Sequence, residues 1–248
     1  MNLYDLKLFQ QKLMKSRVTE NSDKSKNILI NNDKFAVVEA YKIARSNLMF
    51  AVAAKNNKFV VFTSYNKGEG KSTSITNMAI SISKMGVKVL LVDADMRKPN
   101  IHNLLKLKND IGLSELLGKF KTTDEVIKKD ILPNLDVITA GTIPPNPSEL
   151  LGSQQLEYEF KKFEKMYDFV LIDSPPIGIV TDALMLKDQV AGYVLVIREQ
   201  HTSHNDIAKL LSSLELAETS ALGFIKIGCV QKDKKYYNRY YNRYKYGY

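Results

Sequence analysis

From residue 58 onward the chain alternates between short apolar runs and longer stretches whose apolar residues recur at three- and four-residue spacing. The runs Phe59–Phe62, Val87–Val92, Leu135–Thr139, Tyr167–Ile172, Tyr193–Ile197 and Leu222–Val230 predict strands. Near-continuous apolar runs of this kind suit central parallel strands covered on both faces. Between them, Ser72–Met85 predicts a helix with Ile75, Met78, Ala79 and Ile82 inward, and Gly86 is placed to end it. Ser148 can cap a helix running to about Met166. Ser203–Leu216 predicts another helix, 180–189 a short one, and 112–129 two short ones. Repeated strand–helix alternation means an α/β fold: a mostly parallel sheet flanked by helices on both sides.

Ahead of this block, residues 35–54 are rich in Ala, Leu and Met, lack Gly and Pro, and predict a helix. Glu39, Lys42 and Arg45 recur on it at three-residue steps and share a polar stripe. Three regions result: a variable N-terminal segment (1–34), one domain (35–230) and a tail (231–248). Within the first, 3–14 predicts an amphipathic helix with Leu3, Leu6, Phe9 and Leu13 inward, and Thr19–Asn32 reads as a linker.

Composition narrows the class. At 248 residues and 44% hydrophobic content the chain can build one sizeable core. No apolar run is long enough to span a bilayer, and the first residues are too charged for a secretory leader. A single cysteine, Cys229, excludes an internal disulfide framework and suits a reducing compartment, so a cytoplasmic location is expected. The net charge of +9 is concentrated at the end, where Lys232, Lys234, Lys235, Arg239, Arg243 and Lys245 face Asp233 alone.

The same end carries Tyr236, Tyr237, Tyr240, Tyr241, Tyr244, Tyr246 and Tyr248, seven of the 13 tyrosines. A stretch so polar and cationic, with only tyrosine as bulk, predicts a disordered arm and no core. Its tyrosines and arginines could stack on single-stranded nucleic acid, lie on an anionic membrane, or present hydroxyls for modification.

Candidate chemistry centres on Phe59–Thr73, FVVFTSYNKGEGKST. A buried strand leads into a glycine-containing turn, and Gly70-Lys71-Ser72-Thr73 opens a helix, which is the setting of a phosphate-binding P-loop. Gly68, Glu69 and Gly70 form the bend, Lys71 reaches the β- and γ-phosphates, and Ser72 and Thr73 start the helix whose N–H groups face the anion. Tyr65 stands where the full pattern has its first glycine. The strand 87–92 ends in Asp93-Ala94-Asp95, two carboxylates on one side of an extended segment. The strand 167–172 ends in Asp173, a partner for Mg²⁺ beside a P-loop. ATP and Mg²⁺ are the expected cofactors of a P-loop NTPase.

Taken in order, these segments resemble the bacterial tyrosine autokinases of capsule and exopolysaccharide synthesis. The resemblance rests on Ser64–Thr73, Val89–Pro99, Val170–Pro176, Pro144–Leu151 and the C-terminal tyrosine cluster, and it covers residues 35–248. It implies an Mg-ATP-dependent protein-tyrosine kinase that phosphorylates its own tail tyrosines in trans. Lys71 would stabilise the transferring group; Ser72, Asp95 and Asp173 would hold Mg²⁺; Asp93 would accept the tyrosine proton; and Arg97 would be a further cation near the phosphates. Glu39, Lys42 and Arg45 resemble the family's oligomerisation motif, with Lys42 where the pattern has arginine. The resemblance further implies a ring-like homo-oligomer, a separate membrane-anchored activator that recruits the chain to the inner face of the membrane, and a cognate tyrosine phosphatase, with no nucleic-acid partner. A P-loop ATPase of the partitioning and positioning class, its basic tail on DNA or membrane, is the competing reading. A nucleotide-binding scaffold is a third.

Overall fold

A computed structural model describes residues 28–30, 34–55 and 57–228. The expected helix 3–14, most of the linker, Cys229, Val230 and the tail tyrosines Tyr236 to Tyr248 lie outside the described residues.

Seven strands form one sheet: β1 (Phe59–Thr63), β2 (Val89–Asp93), β3 (Lys128–Leu132), β4 (Leu135–Ile138), β5 (Phe169–Asp173), β6 (Gly192–Arg198) and β7 (Ala221–Ile227). Their spatial order is β3-β4-β2-β5-β1-β6-β7. Every pairing is parallel except β3 with β4. β1, β2 and β5 are buried at every position, as their unbroken apolar runs require. Successive β1 residues feed opposite cores. Val60 and Phe62 join one with Ile75 and Met78, and Phe59 and Val61 join the other with Phe160 and Phe163.

Helix α1 (Phe35–Val52) and helix α2 (Lys71–Ser83) pack on the first face. α1 turns Val37, Tyr41, Ala44 and Leu48 inward, and α2 is buried along nearly its whole length. On the same face α3 (Ile101–Leu105) contributes Ile101 and Leu104. The opposite face carries α4 (Leu113–Leu117), α5 (Thr123–Val126), α6 (Pro147–Leu151), α7 (Gln154–Met166), a 3-10 helix (Asp182–Gln189) and α8 (His204–Leu216).

The structure departs from the sequence reading in a few places. The helical stretch expected over 112–129 ends earlier: Lys128 and Lys129 open the antiparallel edge strand β3. The helix expected over 148–166 is two, α6 and α7, parted at Gly152-Ser153. Ser148 is inside α6, which begins with Pro147; the capping serine is Ser153, whose hydroxyl accepts from the Leu156 N–H. The short α3 was not anticipated. Among the described residues no helix is long and apolar enough to cross a membrane.

Candidate functional site

Strand register gathers the expected site. Asp93 at the end of β2 sits opposite Asp173 at the end of β5, and Phe62 of β1 sits opposite the same Asp173. Three parallel strands thus deliver two carboxylates and the start of the loop 64–70 to one edge of the sheet, at the carboxyl ends where open α/β sheets bind ligands. Gly68 and Gly70 hold φ of +79° and +75°, and Gly70 is the residue before α2. Both conformations are left-handed, which explains glycine at these two points. The first N–H groups of α2 have no intrahelical acceptor, as at any helix start, so they face the loop's concavity with the positive end of the helix dipole.

Lys71, the first residue of α2, extends back over the strand ends. Its Nζ lies 3.3 Å from Asp173 Oδ1 and 3.5 Å from Asp95 Oδ2. All of these side chains are buried, and Asp93 and Asp173 are fully so. Burial alone would lower the Lys71 pKa, but Asp173, Asp95 and Asp93 outweigh it and hold the ammonium above its ordinary value. Burial raises the Asp173 pKa, opposed by Lys71 and the Ser72 hydroxyl. Asp93 is also raised well above the carboxylate range, first by burial and then by the charge of Asp173. If all three were ionised they would outnumber the one ammonium, and burial answers by raising the proton affinity of Asp93 and Asp173; a divalent cation would stabilise their charged forms.

The donors fit Mg²⁺. Asp173 Oδ2 is buried with no hydrogen-bond partner among the described residues, and the Ser72 hydroxyl faces the same carboxylate. No cluster of three or more His, Cys, Asp or Glu among the described residues encloses a metal by itself. Mg²⁺ sites commonly use one or two carboxylates, with phosphate and water completing the octahedron.

Asp93 is as buried as Asp173, and both of its oxygens are bonded. Its Oδ1 accepts from the Asp95 N–H at 3.2 Å, and its Oδ2 from the Asn100 and Ile101 N–H groups at 3.1 and 3.0 Å. It therefore anchors the turn that carries Asp95 and Arg97. Arg97 points to a carboxylate that sequence reasoning missed. Its Nε donates to Asp182 Oδ2 at 2.8 Å, a terminal nitrogen donates to Asp182 Oδ1 at 3.1 Å, and a weaker bond reaches Ser148 Oγ. Ser148 also donates to Asp182, at 2.6 Å. Burial would raise the Asp182 pKa, but the bonds from Arg97 and Ser148 hold it below the usual carboxylate range.

Glu69 also departs from expectation. Its carboxylate turns back on the loop and accepts from the Tyr65 and Asn66 N–H groups. The third expected group is on α1. Lys42 pairs with Glu39 at 2.7 Å on the exposed side. Arg45 turns inward and donates to the Ser81 carbonyl at 2.6 Å, in the last turn of α2. The tail tyrosines lie outside the described residues.

The AAA domain family matches residues 57–227. Tyrosine-protein kinase YwqD of Bacillus subtilis is 39% identical over 190 residues, covering 77% of this chain and 80% of its own. The crystal structure of the chimerical protein CapA2B2 superposes with a TM-score of 0.82 at 31% identity, covering 91% of this chain and 99% of the other. The kinase domain of Escherichia coli tyrosine kinase ETK gives a TM-score of 0.80 at 27% identity, covering 89% and 91%.

Proposed function

We propose, on the premise that this chain belongs to the bacterial tyrosine-protein kinases with an AAA-type P-loop domain, that it transfers the γ-phosphoryl group of Mg-ATP to tyrosines of its own C-terminal cluster, one copy acting on the next. The observation that carries this reading is the buried group formed by Lys71, Asp95 and Asp173 at the mouth of a glycine-bent loop.

In this reading Lys71 and the N–H groups at the start of α2 bind the phosphates, and Ser72, Asp95 and Asp173 hold Mg²⁺. The metal, when bound, neutralises charge that develops on the phosphate oxygens. The tyrosine oxygen attacks the γ-phosphorus, the bond to the β-phosphate oxygen breaks, and ADP leaves. The tyrosine proton goes to Asp93, whose raised proton affinity suits a general base. Asp93 is enclosed by the turn it anchors, so this step requires that turn to shift. Arg97 is tied from this turn to Asp182 and Ser148, away from the carboxylates of the site.

Self-assembly through α1 is part of the proposal. Glu39 and Lys42 lie on its outer side, where Ile43 and Phe50 are also exposed, at 56% and 80%. The reading extends to a membrane-anchored activator that draws the chain to the inner face of the membrane, a cognate phosphatase, and control of capsular or extracellular polysaccharide synthesis. The family membership supports these.

The test is mass spectrometry of the purified chain after incubation with Mg-ATP and the cytoplasmic part of the activator, beside Lys71→Met. Phosphate on residues 236–248 in the unsubstituted chain alone is expected. Phosphotyrosine persisting in Lys71→Met refutes the site. ATP hydrolysis without tyrosine transfer moves the chain to the positioning ATPases.

A further inference from the structure

The P-loop is held from behind by a segment far along the chain, and Glu69 is the joint. Its side chain is completely buried although it belongs to a surface loop. One oxygen, Oε2, accepts from the Tyr65 N–H at 3.1 Å and from the Asn66 N–H at 3.0 Å. The other, Oε1, accepts from the Thr202 hydroxyl, and His201 Nδ1 lies 3.5 Å away. Two more bonds follow the same route: an Arg198 guanidinium nitrogen donates to the Gly68 carbonyl at 3.0 Å, and Asn66 Nδ2 donates to Asp206 at 3.3 Å.

Two physical consequences follow. The Tyr65 and Asn66 N–H groups are already occupied, so phosphate binding falls to N–H groups further along the loop and at the start of α2. A second anion placed beside a phosphate site also works against phosphate by simple repulsion. The carboxylate is therefore useful only if the order it imposes outweighs that repulsion. Charge-assisted bonds to buried donors are the stronger class of hydrogen bond, and here several converge on one group. A loop with two glycines at positive φ is entropically expensive to hold, and fixing its head to its tail removes that cost before the ligand arrives.

From this geometry we infer that Glu69 is a positioning residue. Through Thr202 it locks the P-loop into its phosphate-binding shape from the β6–α8 connection, without touching phosphate. The inference rests on the nucleotide-site reading above.

It is tested by calorimetric binding of Mg-ADP and of inorganic pyrophosphate to the full chain, at a temperature where circular dichroism shows every variant folded. Glu69→Ala should weaken both ligands by a similar factor of about tenfold or more, because both need the ordered loop. Glu69→Gln should recover most of the affinity. Its amide oxygen can still accept the two N–H groups, and its amide nitrogen can donate to the Thr202 hydroxyl. Thr202→Val should weaken binding by a smaller factor, and the double variant should be little worse than Glu69→Ala, since the residues act as one unit. Unchanged ADP affinity in Glu69→Ala overturns the inference, as does an additive double variant or a Glu69→Gln no better than Glu69→Ala. Should the unsubstituted chain bind neither ligand, the nucleotide-site reading itself fails, a result distinct from any of these.

Discussion

Arg97→Met separates two roles for the same cation. The sequence suggested a contact with phosphate, whereas the structure pairs Arg97 with Asp182 through two bonds of 2.8 and 3.1 Å. The Asp182 side chain is 1% exposed and the Arg97 side chain 44%. Removing one partner of a fully buried pair costs about 3–5 kcal/mol, because the other charge is stranded. Here solvent screens the arginine, and Ser148 still donates to the carboxylate at 2.6 Å. A loss of about 1–3 kcal/mol is therefore expected, between the exposed and the buried limits.

The pH dependence carries a sign. Asp182 has a folded pKa below its unfolded value. Its stabilisation is present above the unfolded pKa and disappears as pH falls through the folded one. The deficit of Arg97→Met against the unsubstituted chain should therefore be full at neutral pH and shrink below about pH 4. Thermal unfolding across pH measures it, with ADP affinity measured on the folded variant at neutral pH. A tenfold or larger loss of ADP affinity with an unchanged melting temperature would refute the pairing argument and return Arg97 to the phosphates.

Three other substitutions check the supports of the same loop and helices. Arg45→Ala should lower stability by about 1–2 kcal/mol even in dilute monomer, since it removes a charge-assisted bond from the C-terminal turn of α2. Glu39→Ala breaks only an exposed pair and should leave the melting temperature within a degree or so while lowering the mass seen by light scattering. A melting temperature unmoved by Arg45→Ala, with mass reduced, would make Arg45 purely interfacial. Gly178→Ala should disturb the head of the P-loop and weaken ADP binding several-fold, because a Cβ there would lie 2.5 Å from the Tyr65 carbonyl oxygen. Unaltered affinity would show that the loop gives way freely.

The parts legible in the sequence share one property: they are set by local pattern at central strands. Strands β1, β2 and β5 are unbroken apolar runs, and each ends on the loop or carboxylate that the site uses. The placement of Asp93 opposite Asp173 then follows from parallel pairing, and the loop from β1 to α2 brings Lys71 to them. β3 was hidden because it is an edge strand, Lys-Lys-Asp-Ile-Leu, half-exposed and without strict alternation. Gly152-Ser153 was a legible break that helical spacing on both sides concealed. What no local pattern encodes is a side chain's choice between distant partners. Arg97 and Asp182 are 85 residues apart, and Glu69 and Thr202 are 133 apart. Arg45 shares a stripe with Glu39 and Lys42 by spacing, yet α2 packs close enough to claim it.

Charge ties the described site to the tail outside it. The site places Lys71 among Asp93, Asp95 and Asp173, and Mg-ATP would bring net negative charge with it. The tail is the opposite: Arg239, Arg243 and Lys245 are interleaved with its tyrosines and no acid follows Asp233. A cationic segment entering a negative cleft is drawn in over a Debye length of about 8 Å at physiological salt, before any specific contact forms. In the proposed reaction each transferred phosphate adds about −1.5 to −2 charges to that segment, so about three phosphotyrosines offset its six cations and single acid. Attraction becomes repulsion by the chemistry itself. Under the proposed self-phosphorylation, the field that draws the unmodified tail in would therefore repel the phosphorylated one, and tail binding measured with and without phosphate should differ in sign of salt dependence.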